Sequence, residues 1–354
     1  MSVDIATYKT QQIVALNAIF KTNASKIHLQ YKLNISKINS LRTTRSIKIY
    51  YIQYFTNQYN QLLRSMQNKL IQDVNKINAL INIPGVSQIV ANTRNNPDKF
   101  ALIIGINYSN TPNQLFGCIN DANNMNKFLN SRAYKTENVV VLTDNTISKP
   151  TKKNIMNGLT QMLKNSIKGD SLVFSYSGHG THTADLNGDE TDKQDEMIVP
   201  IDYATSKEMC IKDDEIKYII DSYLKPDTKL FMLFDACFSG TICDLKYNYL
   251  DNLGNTNINP KSNETAGQVI CISGCSDSQT SAEAAVTDGV TPTAIGAMSF
   301  VFLNTINTDG ISINMKMLLD KMRTTLSDHM YTQVVQMSSG RQIDISNTIL
   351  SDII

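Results

Sequence analysis

Two side chains in this sequence could serve as a nucleophile and its base. Cys237 ends the apolar run KLFMLFDAC (229–237) and is followed by Phe238-Ser239-Gly240. His179 ends another apolar run, in the stretch Ser177-Gly178-His179-Gly180. Small residues beside each let the backbone turn sharply and let a substrate carbonyl come close. A thiolate, a nearby imidazole and N–H donors for an oxyanion are the parts of acyl-transfer chemistry. The competing reading of Cys237 is a buried thiol closing a core strand, since free cysteine is among the most buried residue types. The remaining three histidines have other settings. His28 lies in the N-terminal segment, His182 in an acid-rich loop, and His329 at the end of a helical pattern, where the helix dipole favours a cation.

The elements that must position these residues alternate along the chain. FALIIGIN (100–107), VVVLTD (139–144), SLVFSYSG (171–178), KLFMLFDAC (229–237) and GQVICISGCS (267–276) read as buried strands, with QVVQMSSG (333–340) as a last one. Helical patterns fall between them: DANNMNKFLNS, TKKNIMNGLTQMLKNSI (151–167), DDEIKYIIDSYL (213–224), and segments near 294–307 and 313–328. Residues 246–265 read as a polar loop. This alternation predicts an α/β domain with a mostly parallel sheet covered by helices on both faces. Sites in such sheets gather at the carboxyl ends of strands. Strands consecutive in sequence are usually neighbours in space, so His179 and Cys237 are expected to face one cleft.

The first 83 residues are different in kind, with no Pro and no Gly before Pro84-Gly85. Ile13, Leu16, Ile19 and Phe20, then Ile49, Ile52 and Phe55, recur at helical spacing, which predicts two or three amphipathic helices. Residues 1–91 hold eleven Lys/Arg and two Asp/Glu, a net of +9, so the rest of this +1 chain carries −8. The split predicts two functional parts. The polar stretch NTRNNPDK (92–99) reads as a linker between a basic helical region, 1–95, and a catalytic part, 96–354.

The bulk composition is that of a globular protein, with 42% apolar and 18% charged residues in 354. MSVDIATYKT lacks a basic-then-apolar leader, and no apolar run is long enough to span a bilayer. A soluble cytoplasmic protein with no membrane partner is the expectation. Six cysteines without a CxxC pair argue for reduced thiols and against a zinc site. The acid-rich DLNGDETDKQDE (185–196) puts Asp185, Asn187, Asp189 and Glu196 at positions one, three, five and twelve of an EF-hand loop. Position six is Glu190 rather than the required Gly, which excludes an EF-hand.

In order, LIIGINY, GCINDANNM, VLTDN, DSLVFSYSGHG, DEMIVPIDY, IKDDE, FDACFSGT, SGCSDSQTSAE and GAMSFVFL cover residues 99–340. The series resembles the metacaspases, a family of caspase-like cysteine peptidases. The 58-residue separation of His179 and Cys237 is near the spacing of about 50 known for caspase-type His and Cys. The resemblance implies a caspase-like α/β/α sandwich with a large-subunit region (96–245), a linker loop (246–265) and a small-subunit region (266–354). It implies Cys237 as nucleophile, His179 as general base and acid, and the N–H groups of Gly180 and Cys237 as the oxyanion hole. Asp121, Ser177 and Asp235 would line a pocket for Arg or Lys, and paired carboxylates do suit a guanidinium. The plainer reading of Asp121 is a helix cap. Cys118 matches a second family cysteine that is neither nucleophile nor ligand.

The family's calcium-binding aspartates correspond to Asp195, Asp213, Asp214 and Asp244; the plainer reading of Asp213-Asp214 is compensation of a helix dipole. An enzyme cutting after basic residues could cleave itself in the 246–265 loop, at Lys246 or Lys261. Two departures stand out. Phe238 replaces the usual His of D-S-C-H-S-G, and Gln333-Val334-Val335 lacks the proline of Q-x-P. A monomer acting on protein or peptide substrates is expected. The alternatives are a catalytically weak scaffold and a ligase using the same acyl-enzyme. For the N-terminal region three roles stay open: an intramolecular prodomain, a binder of an acidic partner or nucleic acid, and a plain helical appendage.

Overall fold

The computed structural model describes residues 5–79, 94–184, 194–205, 207–236, 242–249, 255–274, 283–287, 292–331 and 333–354. The chain divides into two units, Met1–Gln88 and Ile89–Ile354. In the first, α1 (Ile5–Ser40) and α2 (Arg45–Ala79) form a hairpin. Tyr31 of α1 stacks on Tyr59 of α2 at 4.7 Å. Neither helix is interrupted, as expected of a stretch without Gly or Pro.

The second unit is built on an eight-stranded mixed sheet. Its strands are β1 (Lys99–Gly105), β2 (Val139–Thr143), β3 (Ser171–Ser177), β7 (Lys229–Asp235), β8 (Tyr247–Tyr249), β9 (Thr256–Ile258), β10 (Gln268–Ser273) and β13 (Gln336–Ser339). They lie in the order β2-β1-β3-β7-β10-β13-β8-β9. The first five are mutually parallel and the last three add antiparallel. The parallel part is as predicted. The stretch 246–265 differs from the predicted loop, because β8 and β9 within it extend the sheet edge. Their alternating Tyr247 and Tyr249 are buried, while three-residue strands are too short to show a period in sequence.

Alternate side chains of each parallel strand enter opposite layers. Ile103, Val173, Phe231 and Ile272 meet α3 (Cys118–Ser131), α6 (Ala297–Asp309) and α7 (Met315–Asp328) in one core. Leu102, Phe174, Met232 and Val269 meet α4 (Lys152–Lys164) and α5 (Asp213–Tyr223) in the other. Both faces are therefore covered, which makes the α/β/α sandwich. Two small ribbons stand outside the sheet: β4 (Gly180–Ala184), β5 (Gln194–Ile198) and β6 (Ile211–Lys212), and the hairpin of β11 (Glu283–Thr287) with β12 (Pro292–Gly296). The predicted helix near 294–307 thus begins later, with 294–296 in β12.

The stretch read as a linker is partly tied down. Arg94 forks onto the buried Asp170, with Nη1 3.0 Å from Oδ1 and Nη2 on Oδ2, and its guanidinium lies 4.5 Å over the Phe100 ring. A bidentate Arg–carboxylate pair fixes the entry to β1. No described helix is long and apolar enough to cross a membrane.

Candidate active site

The ladder between β3 and β7 sets the site. The strands run parallel with Ser177 opposite Asp235. His179 comes two residues after Ser177, and Cys237 is two residues after Asp235 in the sequence. Cys237, with Phe238, lies outside the described residues. Ala236, just before it, is fully buried.

The His179 ring is held through Nε2. Nε2 lies 2.8 Å from the Asn113 carbonyl oxygen, which can only accept, so Nε2 carries the proton and donates. In the neutral ring Nδ1 is then the basic nitrogen. The backbone of His179 is also fixed. Its N–H donates to Tyr108 Oη at 2.9 Å, and its carbonyl accepts from Tyr176 Oη at 2.7 Å and from the Val199 N–H at 3.1 Å. The Tyr108 ring lies 4.7 Å from the imidazole. Burial raises the pKa of both phenols, so both stay protonated donors across the working pH range.

The loop that carries Asn113 is itself braced. Asp144, at the end of β2, accepts from the N–H groups of Asn107 and Ser109, both at 2.8 Å. Asn107 Oδ1 accepts the Ile119 N–H at 3.1 Å in the first turn of α3. Tyr108 sits at φ 49, a left-handed conformation uncommon for a bulky residue. Sequence reasoning missed Asn113 and Tyr108 as positioning residues. A backbone carbonyl leaves no side-chain signal, and Tyr108 reads as the end of an apolar strand.

The predicted acids converge. Ser177 Oγ donates to Asp121 Oδ2 at 2.6 Å, and Asp121 also accepts the Gly296 N–H at 3.0 Å. Asp235 accepts the Ser299 N–H at 2.7 Å. All three side chains are at most 5% exposed. Gly296 lies between the carboxylates: a Cβ there would fall 2.1 Å from Asp235 Oδ2 and 2.9 Å from Asp121 Oδ2. The cap reading of Asp121 is therefore corrected. The N-cap position of α3 is Gly117, and the Asp121 carboxylate instead meets Ser177 of β3 and the start of α6, where carboxylates face the positive end of that helix. A cavity of about 400 Å³ between α3 and α6 shares Asp121 and Ser299 with this cluster. Lys127 and Arg132 line it while Ser177 and Asp235 do not, so it is not a pocket for a cation.

Carboxylate oxygens of Asp195, Asp213 and Asp214 lie within 4.8 Å of one another. Asp195 and Asp213 are 2% and 1% exposed. Lys212 Nζ pairs with Asp195, and that bond raises the lysine pKa. Asp213 accepts the N–H groups of Glu196 at 2.6 Å and Asp214 at 2.7 Å. Hard oxygen donors this close, two of them buried, fit a divalent cation such as calcium. Asp244 is not part of that group; it sits at φ 43, with its carbonyl accepting from Ser262 Oγ at 2.7 Å.

The other predicted positions fall as follows. Gly180 opens β4 directly after His179. Cys118 is buried at the first residue of α3. The Lys246 carbonyl accepts the Asn259 N–H at 2.8 Å at the edge of β8, whereas Lys261 is exposed between β9 and β10. Asp185, Asn187, Asp189 and Glu190 lie outside the described residues. The remaining histidines have local partners: His28 Nδ1 with Tyr59 Oη at 3.1 Å, and His329 Nδ1 with the Thr325 carbonyl at 2.8 Å. His182 is exposed on β4, opposite Glu196.

Against known proteins, residues 99–246 match the family model of the metacaspase, peptidase C14 domain. Metacaspase-1 of Meyerozyma guilliermondii is 35% identical over 298 residues, 70% of this chain and 71% of that protein. Metacaspase-1 of Kluyveromyces lactis is 36% identical over 295 residues, 69% of this chain and 66% of that protein. Among solved structures, a protein of Geobacter sulfurreducens is similar with a TM-score of 0.51 and 20% identity, covering 72% of this chain and all of that one.

Proposed function

The chain belongs to the metacaspase family of caspase-like cysteine peptidases, and from that premise we propose a calcium-dependent endopeptidase that cuts after Arg or Lys with Cys237 and His179. The observation that carries the reading is the hold on His179. A ring whose Nε2–H is spent on the Asn113 carbonyl presents Nδ1 as a base. Residue 237 follows the strand paired with the one that delivers His179.

The reaction runs in two halves. Nδ1 takes the Sγ proton of Cys237, and the thiolate attacks the scissile carbonyl carbon. The developing oxyanion is received by the N–H groups of Gly180 and Cys237. Collapse breaks the C–N bond, and Nδ1–H protonates the leaving amine. Water, deprotonated by the same Nδ1, then hydrolyses the thioester. General-base help of this kind contributes roughly 10²–10⁴-fold.

Specificity follows from the acids. Asp121 and Asp235 are two buried carboxylates meeting at Gly296, with the Ser177 hydroxyl beside them. A substrate guanidinium or ammonium would add opposite charge beside them. Asp195, Asp213 and Asp214 would hold calcium, whose charge offsets their mutual repulsion when bound. Lys212 offsets part of it from within the chain. The effect would be to order β5, β6 and the start of α5 beside the β4 ribbon. Lys261 is the better site of self-cleavage, since Lys246 leads straight into a paired strand.

The test is initial cleavage rates on matched peptides with Arg, Lys or Asp at the cut position. Wild type and Cys237→Ala are compared while calcium is titrated under reducing conditions. Calcium-dependent cleavage after Arg or Lys, absent in the variant, is the expected result. Folded protein with no turnover on any peptide would overturn the proposal in favour of a scaffold.

A further inference from the structure

The helical hairpin is short of partners for two kinds of surface. Among the residues of this unit whose side chains are described, only Ile38 is buried. The seam uses Tyr31, Thr56 and Tyr59. Another face of α2 carries a second apolar stripe. Ile47, Tyr50, Tyr51 and Tyr54 follow at i, i+3, i+4 and i+7 and are 45%, 65%, 45% and 49% exposed. Leu41, in the turn between the helices, is 51% exposed. Contiguous exposed apolar surface of this sort marks an interaction site.

The charge is as one-sided as the stripe. Residues 5–72 hold ten Lys/Arg and no Asp or Glu. Lys37, Arg42 and Arg45 are exposed at the turn end, beside the stripe. The first turn of α2 has no acid to offset the positive end of its dipole. The partner must therefore be anionic and must also take up tyrosines and aliphatic side chains. A nucleic acid would use the cations and stack on tyrosines, but would leave Leu41 and Ile47 in water. A second copy pairing hairpin to hairpin would set +9 against +9.

An anionic lipid surface answers every feature. Headgroups pair with the cations, tyrosine rings favour the headgroup level, and aliphatic side chains enter just below it. We propose that the turn end of the α1–α2 hairpin docks peripherally on anionic membranes through Leu41, Ile47, Tyr50, Tyr51 and Tyr54 with Lys37, Arg42 and Arg45. This departs from the expectation of no membrane partner, which rested on the lack of a spanning segment. A surface contact needs no span.

The experiment is vesicle flotation of the full-length chain carrying Cys237→Ala, which removes self-cleavage from the readout. Phosphatidylcholine vesicles are used with and without about one-third phosphatidylserine. Flotation with the anionic vesicles alone, weakened by salt, is expected. Lys37→Gln/Arg42→Gln/Arg45→Gln should lower partitioning about a hundredfold. Tyr50→Ser/Tyr51→Ser/Tyr54→Ser should lower it about tenfold or more. Circular dichroism checks that each variant keeps its helix content. Failure of the unsubstituted chain to float, equal binding to neutral vesicles, or undiminished binding by either variant overturns the proposal. So does binding of single-stranded RNA, or a dimer in sedimentation, that the same substitutions abolish while flotation is absent.

Discussion

At the residue scale, His179 is an imidazole placed by what surrounds it. Tyr108 Oη accepts a hydrogen bond from its backbone N–H, and the Asn113 carbonyl accepts one from Nε2–H. Tyr108→Phe removes that acceptor and keeps the ring. The expected result is a fall in kcat of about tenfold with little change in KM, read from steady-state kinetics. The two phenols also couple stability to pH. Unfolded, each ionises near the usual value of about 10. Folded, burial holds each protonated above that value. Above about pH 10 the unfolded chain thus binds fewer protons, so stability is intact below that pH and falls as pH rises further. Urea midpoints measured from pH 8 to 11 should show the decline, and Tyr176→Phe should flatten it. In the sequence His179 was legible because glycines flank it. Asn113 was not, because every residue offers a carbonyl and only the fold decides which one meets the ring.

At the element scale, the start of α6 ties the two acids of the proposed pocket to the packing of the fold. Its first N–H groups are received by Asp121 and Asp235, which come from α3 and β7. Gly296 lets them approach. Gly296→Ala should push Asp235 aside and destabilise the fold by about 1–3 kcal/mol. Cleavage after Arg should fall more than global stability does; peptide kinetics beside thermal melts measure both. The long elements were legible because each keeps one period for seven residues or more. The shortest strands were not: β6, β8 and β9 have two or three residues, too few for a period to register. That shortness decides a further prediction. With Lys246 held at the β8 edge, Lys261→Gln should abolish self-cleavage within 246–265, while Lys246→Gln leaves it intact. Mass spectrometry of the fragments tells the two apart.

At the scale of the whole molecule, charge and breakers are placed unevenly along the chain. Residues 1–91 hold eleven basic residues against two acidic ones, with no glycine before 85, and the hairpin unit is Met1–Gln88. The boundary was less legible, since Arg94 looks like linker until Asp170, 76 residues on, comes to meet it. The two units differ in what holds them. The hairpin has one buried side chain among those described, whereas the second unit has an apolar layer on each face of its sheet. Calorimetry should therefore resolve a broad, low transition for the hairpin and a sharper, higher one for the catalytic unit. The carboxylates that would hold calcium all belong to the second unit. A ligand that binds only the folded state stabilises it by about 2.7 kcal/mol at a hundred times its Kd. For a unit of this size that shifts Tm by roughly 5–10 °C. Calcium should move the upper transition by that amount and leave the lower one in place. Asp213→Asn, which takes charge from the centre of the cluster, should abolish the shift. A shift of equal size in that variant would instead assign the calcium effect to other residues.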